Sequence, residues 1–145
     1  QQHKVHYKNA VSADKYIDLF SPHISSLFRS NSQIMQGNAE NQVMVVLCTA
    51  PPGMAHTLAT QVLDKHLAAC VNIFPVRSVY RWEGVVCDEP EELLIIKTTD
   101  AKVDELKSAL VSMHPYNIPE VLCLPVKDGY DRYLSWIAGE VATEL

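Results

Sequence analysis

The sequence is poor in the residues from which phosphate-binding loops and zinc fingers are built. It has only five glycines in 145 residues, and no Walker, dinucleotide-binding, Gly-x-Ser-x-Gly or His-Glu-x-x-His pattern occurs in it. Nothing in it predicts catalysis, so we expect a protein that is not an enzyme. Its four cysteines lie far apart, without a Cys-x-x-Cys pair or histidines at zinc-finger spacing, which argues against a structural zinc site. Cysteines inside apolar runs are typical of free thiols in a reducing compartment, which predicts a cytoplasmic location.

Positive charge and long apolar runs are also scarce. The formal net charge is -5, the isoelectric point is near 5.6, and no basic stripe appears, so we expect no nucleic acid partner. The longest stretch without Asp, Glu, Lys or Arg covers residues 41–63. It is interrupted by Pro51, Pro52 and Gly53, which excludes a continuous apolar helix there, and no membrane partner is expected.

What is present is enough for one soluble core, since 48% of the residues are hydrophobic. Residues 1–42 differ from the rest in being rich in Ser and Asn. We interpret them as an N-terminal extension, irregular or partly helical between Leu19 and Phe28. If this extension is a trimmed targeting segment, an organellar location is the alternative. The compact domain is predicted over residues 43–145.

Within that domain, apolar strand-like runs alternate with helical stripes. Strands are predicted over residues 43–49, 70–82, 93–98 and 121–126. Helices are predicted after the Ala50–Gly53 turn to about Leu67, from Thr99 or Asp100 to His114, and from Asp128 onward. Pro75 must lie at an edge, bend or bulge of its strand, and the segment Gly84–Glu92 is predicted to supply a chain reversal.

The order of these elements predicts the fold class. Two β-α-β units of similar period give a mixed α/β (α+β) domain, a ferredoxin-like βαββαβ sandwich with an extra C-terminal helix. The two helices of these units cover one face of the sheet. Because Val43–Cys48 and Leu93–Ile96 are apolar on both sides, we expect further copies of the chain to cover the other face.

Several segments occur in an order that is characteristic of one family. They are Leu67–Ile73, Ser78–Gly84, Leu94–Thr99, His114–Tyr116, Ile118–Glu120 and Tyr133–Ile137. Together they resemble the CutA divalent-cation-tolerance family. The resemblance implies a homotrimer similar in architecture to the PII signal proteins, with copper binding and metal tolerance as its activities and no enzyme chemistry. The chain departs from the family pattern at Asn117, where Glu is frequent, and at Val85, where Lys is common.

The resemblance also implies candidate metal ligands. Cys48 matches the family cysteine implicated in copper binding, and His114 matches the histidine before its Pro-Tyr pair. Met113, whose thioether would favour Cu(I) over Cu(II), and Cys70 are further candidates. We expect copper, Cu(I) or Cu(II), and other divalent cations as partners, with no metal required for folding. The alternative for Cys48, Met113 and Cys70 is that they are core residues.

The segment from His114 to Glu120 contains two prolines, which hold polar side chains with little entropy left to lose on binding. We expect Tyr116, Asn117, Glu120 and Lys97 to line a ligand cleft between subunits. The alternative is a structural linker in which Glu120 pairs with Lys97. Tyr80, Trp82 and Trp136 are predicted to pack in the trimer interface, because they have too few basic neighbours for a nucleic acid stacking platform.

Two other functions stay open on the sequence alone. One is a PII-like small-molecule sensor that binds a metabolite in clefts between subunits. The other is a scaffolding trimer whose N-terminal extension contacts an unidentified protein partner.

Overall fold

Strands and helices alternate along the chain in the order β-α-β-β-α-β, followed by one more helix. The structure, a computed structural model, describes residues 41–142. The elements are β1 Val43–Ala50, α1 Ala55–Asp64, β2 Cys70–Trp82, β3 Val85–Thr99, α2 Asp100–Met113, β4 Leu122–Pro125 and α3 Asp131–Val141. The mixed α/β fold class is confirmed. The helix predicted between Leu19 and Phe28 lies outside the described residues.

The four strands form one antiparallel sheet in the order β2-β3-β1-β4. Side chains alternate across it, so that Val46 and Cys48 of β1 lie beside Ile96 and Leu94 of β3 on the same buried face. Helices α1 and α2 cover this face. The core is one cluster built from β1, α1, β3, α2 and the segment after α1: Val46, Cys48, Ala50, Ala55, Leu58, Ala59, Val62, Leu67, Ala68, Leu94, Ile96, Leu106 and Leu110. None of the helices within residues 41–142 is long and apolar enough to cross a membrane.

Helix α1 ends earlier than its apolar stripe predicts. It stops at Asp64, because His66 takes a left-handed backbone conformation with φ 53. The Leu67 N–H then donates to the Val62 carbonyl at 2.9 Å, which closes the last turn and returns Leu67 to the core. The prediction of a helix to about Leu67 was therefore wrong at its end, although Leu67 is buried as expected.

The reversal between β2 and β3 is much tighter than predicted. It consists of Glu83 and Gly84, both with positive φ (47 and 80), which is the backbone of a two-residue hairpin turn. The prediction that residues 84–92 supply the reversal was wrong, because Val85 to Glu92 belong to β3. Pro90 is tolerated in the strand since β3 has no β1 neighbour before Glu92, so one of its edges is free there.

The first half of β3 forms a two-stranded ribbon with the second half of β2. Seven cross-strand pairs, from Val76–Glu91 to Trp82–Val85, extend beyond the end of β1. The register is unbroken through Pro75, which lies on an edge strand as predicted and not at a bulge. We call these residues, 76–82 and 85–91, the ribbon.

The face of the sheet away from α1 and α2 is partly covered by the same chain. Cys70 pairs with Lys97, and both side chains lie on that face because Ile96 and Thr98 point into the helical side. Tyr133 of α3 lies close enough to Cys70 to interact with it electrostatically, and α3 contacts β3 and β1. The expectation that only other copies cover this face therefore needs correction, since α3 covers one end. The rest still exposes apolar side chains, among them Phe74, Leu122 and Leu124.

Helix α3 begins later than predicted, at Asp131. Ile137 and Val141 are buried, whereas Tyr130 and Tyr133 are exposed. Strand β4 is likewise shorter than predicted and covers only Leu122–Pro125. The second helix ends at Met113, before His114 and Pro115, as expected.

A carboxylate from β3 caps the first helix. Oε2 of Glu92 accepts hydrogen bonds from the backbone N–H groups of Gly53 (3.1 Å) and Ala55 (3.2 Å), at the positive end of α1. We expect Glu92→Ala to lower the free energy of unfolding by about 1 kcal/mol, measured by urea denaturation. Glu105→Ala, an exposed carboxylate on α2, is the matched control. Equal losses in the two variants would show that the cap does not contribute.

Candidate functional site

The candidate ligand His114 is held by hydrogen bonds at both ring nitrogens. Its Nε2 lies 2.8 Å from the Thr49 carbonyl oxygen, and its Nδ1 lies 3.1 Å from the Tyr116 backbone nitrogen. Since a carbonyl can only accept and an N–H can only donate, Nε2 carries the proton and Nδ1 the lone pair. Burial lowers the pKa of His114, against the opposing effects of the Thr49 hydrogen bond and Glu91. The imidazole is therefore neutral and in one tautomer.

Cys48 lies beside the same carbonyl. Its Sγ is 3.7 Å from the Thr49 oxygen, so thiol and imidazole converge on one acceptor at the end of β1. The side chain is completely buried, and burial, followed by the charges of Glu120 and Glu91, raises its pKa to about 12. At neutral pH this residue is a thiol and not the thiolate that binds metals. Cys48 and His114 thus lie on the same carbonyl, with the thiol protonated and the imidazole neutral.

The two other candidate metal ligands lie elsewhere. Met113 is half-buried against the core cluster at the end of α2. Cys70 lies opposite Lys97 on the far face of the sheet, whereas Cys48 lies opposite Leu94 on the helical face. In the part of the chain that the structure describes, no three His, Cys, Asp or Glu side chains form a group that could hold a metal ion. Of the four candidate ligands, Cys48 and His114 are the two that contact the same carbonyl oxygen.

The residues predicted to line a cleft divide into two places. Tyr116, Asn117 and Glu120 lie in the segment that follows His114, residues 114–121, which we call the His114 loop. The Tyr116 hydroxyl donates to Oε1 of Glu91 at 3.0 Å, and Glu120 is close enough to act on Cys48 electrostatically. The Lys97 ammonium instead donates to Asn72 Oδ1 and lies 3.7 Å from Cys70 Sγ, on the far face. The structure therefore does not place Lys97 beside Glu120.

Glu91 is a site residue that sequence reasoning missed. Only 8% of its surface is exposed, and it contacts Tyr116 while acting on Cys48 and His114. The sequence prediction had assigned it to the chain reversal over residues 84–92. The signal that could have found it is its place just before the apolar run Leu93–Ile96, where a strand that starts earlier brings it against the His114 loop. The Thr49 carbonyl, being backbone, leaves no sequence signal.

Two of the three predicted interface aromatics, Tyr80 and Trp136, are exposed in the described part of the chain, whereas Trp82 is half-buried. Tyr80 and Trp82 belong to the ribbon, where the Tyr80 hydroxyl donates to Glu89 Oε2 at 3.3 Å; burial, then Glu89, raises the pKa of Tyr80 to about 12. Trp136 of α3 stacks on Tyr133 with ring centroids 5.6 Å apart. Trp136 and Tyr80 expose 44% and 40% of their surface, which leaves both available for contact with another molecule.

The fold and the His114 loop can now be compared with known proteins. The family model described as CutA1 divalent ion tolerance protein matches residues 43–140. This chain belongs to the CutA1 family. The match includes every strand and both helices of the helical layer, and it ends one residue before the end of α3.

Individual relatives agree with this assignment. The divalent-cation tolerance protein CutA of Thermus thermophilus is 43% identical over 95 residues, which is 64% of this chain and 92% of that protein. The chloroplastic protein CutA of Arabidopsis thaliana is 40% identical over 115 residues, 78% of this chain and 63% of that protein. The solved structure of the PII-like protein CutA from Nostoc superposes with a TM-score of 0.66 at 32% identity, over 68% of this chain and 97% of that one. The chain thus shares the PII-like fold as well as the CutA1 sequence.

Proposed function

We propose that this CutA1 family member is a homotrimer that binds metal ions, copper first among them, as part of a response to divalent cations. It binds and does not catalyse. The observation that carries the proposal is the ribbon, which residues 41–142 of a single chain leave uncovered. Copper binding at Cys48 and His114 is the second part of the proposal and is argued separately.

The ribbon is too long to be stable on its own. An isolated two-stranded hairpin is marginal in water. Here seven cross-strand pairs extend past β1, and Val79, Val85 and Val86 expose 63%, 64% and 59% of their surface. Together with Leu122 and Leu124 on the outer strand β4, they supply apolar surface at two separate edges of the chain. Two separate edges permit a closed ring in which the ribbon of each copy contacts the next.

The donor chemistry at the end of β1 supports copper as the metal. A thiol and an imidazole are the soft and borderline ligands that copper prefers. Because the Cys48 thiol is protonated and both His114 nitrogens are hydrogen-bonded, binding must release a proton and break a hydrogen bond. A site with a third His, Cys, Asp or Glu ligand needs a donor from outside the described part of one chain, for which a neighbouring copy is the natural source.

Copper titration tests this part of the proposal. We expect the reduced parent to bind Cu(I) or Cu(II) stoichiometrically, and Cys48→Ser and His114→Ala to weaken binding at least tenfold, measured by competition with a chromophoric chelator. Cys87→Ser, a half-buried thiol in the ribbon, is the matched control and should bind like the parent. If both site variants also bind like the parent, the assignment of Cys48 and His114 fails.

A PII-like small-molecule sensor is the second candidate. The observation that favours it is the His114 loop, in which Pro115 and Pro119 restrict the chain while Asn117 and Glu120 remain exposed. A thermal-shift screen of nucleotides and organic anions separates the two functions, since a ligand that binds the folded state must raise the melting temperature. A shift with an organic ligand and none with copper would favour the sensor.

The compartment and the protein partner remain predictions. The free cysteines still favour a reducing compartment such as the cytoplasm. The chloroplastic Arabidopsis relative supports the organellar alternative for a chain with an N-terminal extension. Deleting residues 1–40 and comparing pull-downs would test whether the extension contacts a protein partner.

A further inference from the structure

A continuous series of contacts connects β3 to the Cys48 thiol through the His114 loop. Oε1 of Glu91 accepts from the Tyr116 hydroxyl (3.0 Å), and the Tyr116 backbone N–H donates to Nδ1 of His114 (3.1 Å). His114 Nε2 in turn donates to the Thr49 carbonyl (2.8 Å), beside which the Cys48 thiol lies (3.7 Å). Tyr116 is thus bonded twice, once through its side chain and once through its backbone.

The two hydrogen bonds of Tyr116 both restrict the position of the residue relative to the His114 imidazole. The phenol also contacts the imidazole ring, with centroids 4.9 Å apart and planes at 50°. Holding the hydroxyl on Glu91 therefore fixes both the ring and the backbone N–H that occupies the only lone pair of His114. Glu91 and His114 each expose only 8% of their surface, so solvent does not compete effectively for these bonds.

A metal ion can reach His114 only if one of these bonds opens. The Nε2 nitrogen is protonated and faces a carbonyl, and the Nδ1 lone pair is filled by the Tyr116 N–H. The Tyr116 N–H can leave only if the His114 loop moves, and the hydroxyl bond to Glu91 opposes that movement.

We propose that the Tyr116–Glu91 hydrogen bond is a latch that keeps the His114 lone pair occupied and closes the Cys48–His114 pair to metal ions. In this arrangement Tyr116 and Glu91 are positioning residues, not ligands. The latch regulates the same pair to which copper is assigned, so its role in metal uptake rests on the proposed function, whereas its effect on His114 does not.

The first test uses no metal. Diethyl pyrocarbonate reacts with a free imidazole lone pair, and the rate at His114 is followed by peptide mass spectrometry on the full-length reduced chain at pH 7. We expect Tyr116→Phe, which keeps the ring and the backbone N–H, to react about tenfold faster at His114 than the parent. His56, exposed on α1, reacts in the same digests and should keep its parental rate.

Three further variants separate the latch from a general loosening of the fold. Glu91→Ala should match Tyr116→Phe, whereas Glu91→Gln, which retains an acceptor oxygen for the phenol, should stay within about twofold of the parent. Tyr130→Phe removes a hydroxyl from a tyrosine that is 69% exposed and should change nothing. The latch is overturned if Tyr116→Phe and Glu91→Ala modify His114 at the parental rate, or if Glu91→Gln is as fast as Glu91→Ala.

A measurement on the parent covers the case in which these variants do not fold. Nitrogen-15 NMR of the imidazole should show His114 protonated at Nε2 and unprotonated at Nδ1; a proton on Nδ1 would overturn the latch.

A second experiment compares the rate of Cu(I) uptake by the parent with that by Tyr116→Phe. We expect uptake to be about tenfold faster in the variant. If Tyr116→Phe raises the reactivity of His114 towards diethyl pyrocarbonate but neither the parent nor this variant binds copper, the latch stands and the copper function fails. If the parent binds copper and neither rate changes, the copper function stands and the latch fails.

Discussion

Replacing Val86 by lysine is expected to give single chains at micromolar concentration, where the parent is proposed to be a trimer. Val86 lies on the ribbon and exposes 59% of its surface in the single chain. Burying a valine against another copy contributes about 1.5–3 kcal/mol, and a lysine at that contact adds the cost of removing a charge from water. Because a ring of three repeats the substitution at every contact, we expect association to weaken at least a hundredfold.

A similarly exposed valine on helix α2 provides the control for Val86→Lys. Val111 of α2 exposes 53% of its surface and lies away from the buried stripe of that helix, Val103, Leu106 and Leu110. Val111→Lys should leave the sedimentation coefficient and the melting temperature unchanged. If Val86→Lys sediments like the parent, or if Val111→Lys dissociates equally, the ribbon is not the subunit contact.

Alkaline pH is expected to destabilise the fold through the Cys48 thiol. Its pKa rises from 9.0 to about 12 on folding, chiefly by burial. Above pH 9 the unfolded chain therefore loses this proton while the folded chain keeps it, so the folded state binds more protons and stability falls as pH rises. The expected slope is about 1.4 kcal/mol for each pH unit between about 9 and 12, or roughly 2 kcal/mol lost by pH 10.5.

The contribution of Cys48 is isolated by comparing slopes and not absolute stabilities. Tyr80 and Tyr116, whose pKa values burial also raises, remain in both proteins, so Cys48→Ala removes only the thiol. Urea denaturation of parent and variant is measured from pH 7 to 10.5 at one protein concentration with a thiol reductant. The parent should lose about 2 kcal/mol more than Cys48→Ala, and Cys87→Ala should behave like the parent. Parallel slopes in parent and Cys48→Ala would contradict a buried, protonated thiol.

The order of elements could be predicted because short, continuous apolar runs alternate along the chain with apolar stripes at helical spacing. Val43–Thr49 reads as a strand and Val103, Leu106 and Leu110 as a helical stripe, and the structure places them so. The failures lie where backbone conformation overrides the pattern. His66 adopts a left-handed conformation without being a glycine, which ends α1, and Glu83 does the same in the hairpin turn. A single sequence does not reveal these left-handed conformations, because residues other than glycine rarely adopt them.

The charged stretch from Asp88 to Glu92 misled the prediction for a different reason. Acidic residues and a proline resemble a loop, yet cross-strand partners such as Arg77 make them a strand. This error concealed Glu91, and with it the latch on His114. The closeness of Cys48 and His114 was predicted only through family resemblance, because they are joined by the tertiary contact of both with the Thr49 carbonyl.

The account depends most on the ribbon being covered by other copies of the chain. The mass of the 145-residue chain in solution, measured by sedimentation equilibrium or light scattering at micromolar concentration without added metal, tests this most directly. The account predicts three times the 16.2 kDa of one chain. A stable species at 16.2 kDa would contradict it, since the exposed valines of the ribbon would then face water in the native state.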